Sequence, residues 1–176
     1  DAVFDMFPRM SSALLDADAP MPLAASVLGD PQPPTYVPNR NMILLSTAIG
    51  YAESIGASEV YYGAQLGDLY GYWDCTQEFV DKLNAVASLN RRKPVRIVAP
   101  LTKNRKVDNI LLGKRLGVDF GNTWTCYAPH LAESYWKPYV DATTHPAYAC
   151  GKCPTCAERL KGFAEAGIKD PLKYVS

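Results

Sequence analysis

The sequence predicts an α/β fold: a Rossmann-like parallel sheet flanked by helices, with a C-terminal zinc-binding helical module. Three observations predict it. Apolar periodicity between Asn39 and Leu116 alternates helix, strand, helix, strand, helix, the order that generates βαβ units and a parallel sheet. The two strand runs are short and bounded by turn residues. Four of the five cysteines fall in Trp124-Thr125-Cys126-Tyr127 and Cys150-Gly151-Lys152-Cys153-Pro154-Thr155-Cys156, a spacing that can point four thiolates at one centre.

Taken in order, Ala2-Val3-Phe4 within residues 1–7 reads as a short strand, and Met10 to Leu15 as one or two helical turns. From 17 to 38 the prolines at 20, 22, 31, 33, 34 and 38 break any periodicity and predict a loop; a loop this long in a compact domain is a lid, a binding loop or disordered. Asn39 or Asn41 can cap a helix that carries Ile43, Leu44, Ala48, Tyr51 and Ala52 and stops at Gly56. Glu59 to Gly63 reads as a strand. Asp74 to Leu89 reads as an amphipathic helix with Phe79, Val80, Leu83, Val86 and Ala87 on one face. Val95 to Ala99 is a second strand, and Arg105 to Leu116 a third helix ended by Gly117. A last helix, about Cys153 to Ala166, carries two of the thiols. Loops after parallel strands hold ligands in open α/β sheets, which directs attention to residues 64–74, to 100–106 and to the segment carrying Cys126.

Bulk properties limit the function. The 176 residues, 48% hydrophobic and 20% charged, describe a globular chain with room for a sizeable core. The formal net charge is zero, which argues against a protein that mainly grips nucleic acid. No apolar run approaches the roughly 20 residues that span a bilayer, and no signal peptide is apparent. Clustered thiols without a secretion signal favour metal in a reducing cytoplasm over disulfides. The chain opens on Asp1 rather than Met, and an N-terminal portion is expected before it.

Four groups of residues carry candidate chemistry. Cys126, Cys150, Cys153 and Cys156 suit a closed tetrahedral zinc site; an iron–sulfur cluster or a redox pair uses similar spacing, and His130 or His145 could replace one thiol. Val37-Pro38-Asn39-Arg40-Asn41 puts a guanidinium and amides at a helix start, either as an anion seat or as a simple cap beside a solvated arginine. Asp68-Leu69-Tyr70-Gly71-Tyr72-Trp73-Asp74-Cys75 gathers carboxylates and phenols that suit a polar ring, or form a packed turn; its Cys75 reads as a small buried residue. Lys106 opens the third helix, within reach of phosphates or merely solvated.

Together these segments resemble the 7-cyano-7-deazaguanine synthases, the QueC family of PP-loop ATP pyrophosphatase-like enzymes. The resemblance rests on Val37 to Asn41; on Asp68, Gly71, Tyr72, Asp74 and Cys75; on Ala99-Pro100-Leu101 followed by Lys106; on Thr123 to Tyr127; on Cys150 to Cys156; and on Phe163 to Ile168 followed by Asp170-Pro171. It implies an adenine nucleotide alpha hydrolase-like fold, with 1–122 the C-terminal part of a PP-loop nucleotide-binding domain and 123–176 a zinc module. It implies ATP-dependent conversion of 7-carboxy-7-deazaguanine and ammonia to 7-cyano-7-deazaguanine for queuosine or deazapurine biosynthesis, with zinc, ATP and magnesium, in a cytoplasmic homodimer that binds no nucleic acid directly. Arg40, Asn41, Asp68, Tyr72, Asp74 and Lys106 would bind substrate or nucleotide, and the four cysteines would bind the metal; no catalytic residue is assigned. The chain departs from the pattern in three ways. The Ser-Gly-Gly-x-Asp-Ser pyrophosphate loop is absent; Trp73 and Thr76 replace a proline and an arginine; and the stretch between Cys126 and Cys150 is long, a lid, a dimer contact or a packed surface loop. The absent loop keeps two alternatives open: a catalytically incomplete zinc-stabilised module that needs a partner chain, and a related PP-loop tRNA-modifying enzyme.

Overall fold

The computed structural model describes residues 4–16, 18–27, 29–30, 32–66, 72–131 and 147–175. The chain divides into two compact units, one formed by Asp1–Ala19 and Gly29–Arg105, the other by Pro20–Leu28 and Lys106–Ser176.

The first unit is the α/β part. Helix α1 (Arg40–Ile55) buries Asn41, Leu45 and Ala52 and ends at Gly56, whose φ of 78° lets its N–H turn back onto Ala52 and Glu53. A glycine suits this left-handed position because it has no Cβ to clash. The chain then enters β1 (Glu59–Tyr61) and pairs in parallel with β2 (Arg96–Val98), in the register Glu59↔Arg96, Val60↔Ile97 and Tyr61↔Val98. Helix α2 (Gln77–Ala87) makes the crossover. The parallel pairing and the helix–strand–helix–strand order are those the sequence predicts. Leu45, Phe79, Val80 and Ile97 form the buried centre, joined by Ile49, Val60, Tyr62, Leu83 and Ala99. The outer edge of β2 is closed by a side chain: Asn84 of α2 accepts from the Ile97 N–H at 2.7 Å and donates to the Ile97 carbonyl at 2.9 Å. That amide takes the place of a neighbouring strand and satisfies both backbone groups.

The second unit holds α3 (Lys106–Arg115), β3 (His130–Leu131), β4 (Ala147–Tyr148) and α4 (Pro154–Glu165), with β3 and β4 antiparallel. Helices α3 and α4 cross closely at Gly162, where a Cβ would lie 2.7 Å from Lys106 Cγ and 2.9 Å from Ile110 Cδ1. Phe120 stacks edge-on against Phe163, with centroids 5.2 Å apart.

Within Met10 to Leu15 a single helical turn forms, its Ser12 carbonyl accepting from the Leu15 N–H at 3.0 Å and the Asp16 N–H at 3.1 Å. Two expectations need correction. Residues 4–9 form a 3-10 helix rather than the end of a strand, and Ala2 and Val3 lie outside the described residues. Helix α2 begins at Gln77 rather than Asp74. Thr76 is its cap, the hydroxyl accepting from the Phe79 N–H at 3.1 Å, and Trp73–Cys75 forms a separate 3-10 turn. The proline-rich loop is also less open than its composition suggests, since Thr35, Tyr36 and Val37 are buried.

Candidate functional site

In the α/β unit Arg40, Asn41 and Asp74 meet at the start of α1. Asn39 adopts φ 52° and its side chain makes no capping bond. The position is filled from another segment. Asp74 is only 2% exposed, and its carboxylate faces the backbone N–H and side-chain amide of Asn41 and the charge of Arg40. Burial raises the Asp74 carboxyl above its ordinary value, and the Asn41 N–H and Arg40 partly oppose that shift. The Arg40 Nε donates to Asn41 Oδ1 at 3.3 Å, and the Asn41 amide donates to Cys75 Sγ at 3.5 Å. An anion is thus already seated on this helix start, and it is the protein's own. Cys75 is buried and also contacts the Tyr62 hydroxyl at 3.4 Å.

Tyr72 is half-buried, its hydroxyl 2.6 Å from Thr35 Oγ1. Trp73 donates its ring N–H to the Tyr36 hydroxyl at 3.0 Å, and that hydroxyl accepts from the Asn39 N–H at 3.0 Å. Trp73 therefore latches the 35–39 loop to the 72–75 turn, a contact that proline at this position could not make. Asp68 lies outside the described residues. Lys106 belongs to the other unit, where it opens α3 and pairs with Glu158 of α4 at 3.2 Å.

The thiol site is the better defined of the two. The sulfurs of Cys126, Cys150, Cys153 and Cys156 all lie within 4.8 Å of one another, and all four residues are buried. None is in a disulfide. Cys150 and Cys156 are 3.9 Å apart, close to the ~3.8 Å edge of a tetrahedron with ~2.3 Å metal–sulfur bonds. The turn is built for thiolates. Gly151, at φ 70°, lets the N–H of Lys152 and of Cys153 reach Cys150 Sγ at 3.4 and 3.2 Å, and the Cys150 N–H reaches Cys126 Sγ at 3.2 Å. Cys153 caps α4 with Pro154 following in the first turn, so the helix dipole also favours negative sulfur there. The neighbouring Cys126 thiol holds Cys153 below the ordinary thiol value, while the same pairing and burial push Cys126 up. Burial and Cys153 raise Cys156 to about 12. Four buried thiolates cannot coexist without a cation to neutralise them, so this donor set fits a metal ion. His130 is in β3, His145 lies outside the described residues, and so does most of the stretch between Cys126 and Cys150.

Sequence reasoning missed the group beside the thiols. Arg159 is 3% exposed. It donates to Asp170 through Nε at 2.8 Å and Nη2 at 2.9 Å, to the Thr123 hydroxyl at 2.8 Å, and to the carbonyls of Thr123 and Phe120 at 3.3 and 3.1 Å. Tyr174 donates its hydroxyl to Asp170 at 2.6 Å. Only the Asp170-Pro171 pair in the tail hinted at this contact.

The family model described as Queuosine biosynthesis protein QueC matches residues 5–167. This chain belongs to the QueC family. Members of the QueC family named 7-cyano-7-deazaguanine synthase share much of its sequence. The Alteromonas mediterranea protein is 46% identical over 140 residues, covering 80% of this chain and 57% of that protein. The Chromohalobacter salexigens protein is 43% identical over 164 residues, covering 93% and 59%. The Marinomonas protein is 40% identical over 165 residues, covering 94% and 68%. The chain thus spans a little over half the length of the first of these QueC relatives. Among the described residues, no helix is long and apolar enough to cross a membrane.

Proposed function

We propose that the chain takes part in ATP-dependent synthesis of 7-cyano-7-deazaguanine from 7-carboxy-7-deazaguanine and ammonia, in queuosine or deazapurine biosynthesis. The observation that carries this reading is 40–46% identity, over most of the chain, to proteins named for that product. A carboxylate is a poor electrophile, so its oxygen first attacks the α-phosphorus of ATP and releases pyrophosphate. Ammonia then displaces AMP and loses a proton to give the amide. A second ATP adenylates the amide oxygen, again releasing pyrophosphate, so that this oxygen leaves as AMP and the nitrogen gives up its two protons to leave the nitrile. Such chemistry depends on positioning and charge stabilisation. Arg40, Asn41, Asp68, Tyr72 and Asp74 are assigned to the substrate or nucleotide site, with Asp74 acting through α1 rather than as an exposed reader of the base. Lys106 is assigned to phosphate, a role that requires it to leave Glu158.

The metal is zinc on this reading, held by Cys126, Cys150, Cys153 and Cys156. Closed coordination leaves no position for water, so its contribution is to the fold. Division at residue 122 into the C-terminal part of an adenine nucleotide alpha hydrolase-like domain and a zinc module belongs to the same proposal. So do ATP with magnesium, a homodimer and a cytoplasmic setting.

The test is to incubate the full-length gene product with 7-carboxy-7-deazaguanine, ammonia, ATP and magnesium and to follow the nitrile by mass spectrometry. No nitrile would sink the activity. Metal analysis should find one zinc per chain, and iron with a brown chromophore would replace zinc by a cluster. Cys153→Ser should lower metal content and melting temperature together, because metal binding is coupled to folding; a variant that keeps both overturns the structural zinc.

A further inference from the structure

We propose that Arg159 and Asp170 are positioning residues of the four-thiol site, setting its metal affinity without touching the metal. This rests on the metal reading above. The thiols arrive on three separate stretches of chain. Cys126 follows the turn Phe120–Asn122. Cys153 and Cys156 lie at the start of α4. Cys150 follows Ala149, which is held by the C-terminal tail: its N–H donates to the Lys173 carbonyl, and its carbonyl accepts from the Val175 N–H, both at 2.9 Å.

One guanidinium ties all three together. Arg159 sits one helical turn beyond Cys156, so it shares that residue's face of α4. Its bonds to Phe120 and Thr123 hold the stretch leading to Cys126. Its paired bonds to Asp170 hold the tail that backs Cys150. All five donors of the fork are used, and the ring of Phe163 covers the cation at 4.9 Å. Asp170 is equally occupied, since its Oδ1 accepts from the Leu172 N–H at 3.0 Å and its Oδ2 from Tyr174. A buried ion pair is a poor device for stability alone, because desolvation offsets its attraction and apolar replacements are often neutral. What it supplies here is direction: three segments fixed at the spacing that four metal–sulfur bonds require. Groups that orient ligands in this way usually change metal affinity about 10–100-fold.

The experiment compares the full chain with Arg159→Lys, with the double variant Arg159→Met/Asp170→Leu, and with Phe79→Leu as a destabilised control in the other unit. Zinc affinity and release are measured against a chromogenic chelator below the melting range, and cobalt(II)-loaded protein is followed by its thiolate-to-metal and ligand-field bands. The double variant leaves no orphan charge, and at temperatures where its circular dichroism matches the parent's it should lose about 10–100-fold in zinc affinity with altered cobalt bands. Arg159→Lys keeps the charge but cannot span Asp170, Thr123 and Phe120 together, and should fall between it and the parent. Phe79→Leu should melt earlier with unchanged affinity and bands. A double variant that binds zinc as tightly as the parent, with the parent's cobalt spectrum, overturns the positioning role. A parent that binds no metal at all removes the metal reading instead.

Discussion

The carboxylate of Asp74 offers the sharpest test of the α/β unit, because it sits at the helix start that the sequence reads either as an anion seat or as a simple cap. Replace it by alanine and by asparagine. Neither variant titrates, and both remove the charge, but asparagine keeps an oxygen for the buried Asn41 N–H. The gap between them therefore isolates that acceptor. A buried donor left without a partner costs about 1–3 kcal/mol, so Asp74→Ala should be less stable than Asp74→Asn by about 2 kcal/mol at every pH. With a urea dependence of about 2 kcal/mol per molar, that is a midpoint difference of about 1 M. The parent should move relative to both. Its Asp74 is raised in the folded state, so the folded protein holds the proton to higher pH than the unfolded chain does. Its contribution is present in full below the ordinary value of 3.8 and is lost as pH climbs through the raised one. Asp74→Asn should accordingly gain on the parent between acid and neutral pH. Urea titrations of the three proteins at pH 3.5, 5 and 7 provide the measurement. Identical midpoints for Ala and Asn would refute the capping role.

Three further outcomes are expected. Gly162→Ala puts a methyl 2.7 Å from Lys106 Cγ and 2.9 Å from Ile110 Cδ1; overpacking of about 1–3 kcal/mol outweighs the ~1 kcal/mol gained in helix propensity, so calorimetry should show a lower melting temperature. Gly151→Ala strains a residue at φ 70° by about 1–2 kcal/mol, and chelator competition should find metal bound about 5–30-fold more weakly. Burial alone would raise Asp170, but Arg159, Tyr174 and the Leu172 N–H outweigh it and hold the carboxyl below 3.8. The stability that this supplies is present above 3.8 and is lost as pH falls through the lowered value, so Asp170→Asn should flatten the acid limb of a stability–pH curve, and an unchanged limb would assign acid loss to other groups.

How far the sequence could be read follows the range over which each interaction acts. Helices α1 to α4 and both strands of the parallel pair were legible, since periodicity, Gly56 and the start at Lys106 are local signals. The two-residue strands β3 and β4 were not, because two residues carry no period. The start of α2 was misplaced by three residues: Asp74 and Thr76 are both good caps, and the choice went to Thr76 once the Asp74 carboxylate turned toward α1. The four thiols could be picked out by spacing alone, whereas Arg159 looked like any helical arginine. Its partners lie 11 and 36 to 39 residues away, and nothing in the local pattern marks so distant a pair.

Residue identity by itself therefore determined which elements form, which four sulfurs can meet and which family the motifs resemble, because those depend on propensity, period and short spacing. Only the tertiary structure decided that Asp74 occupies the α1 start, that Trp73 latches Tyr36, that Asn84 closes the edge of β2 and that Arg159 gathers the thiol-bearing segments. Each of these is a buried polar group whose partner must be brought from elsewhere in the chain, and burial without that partner would cost more than the contact returns.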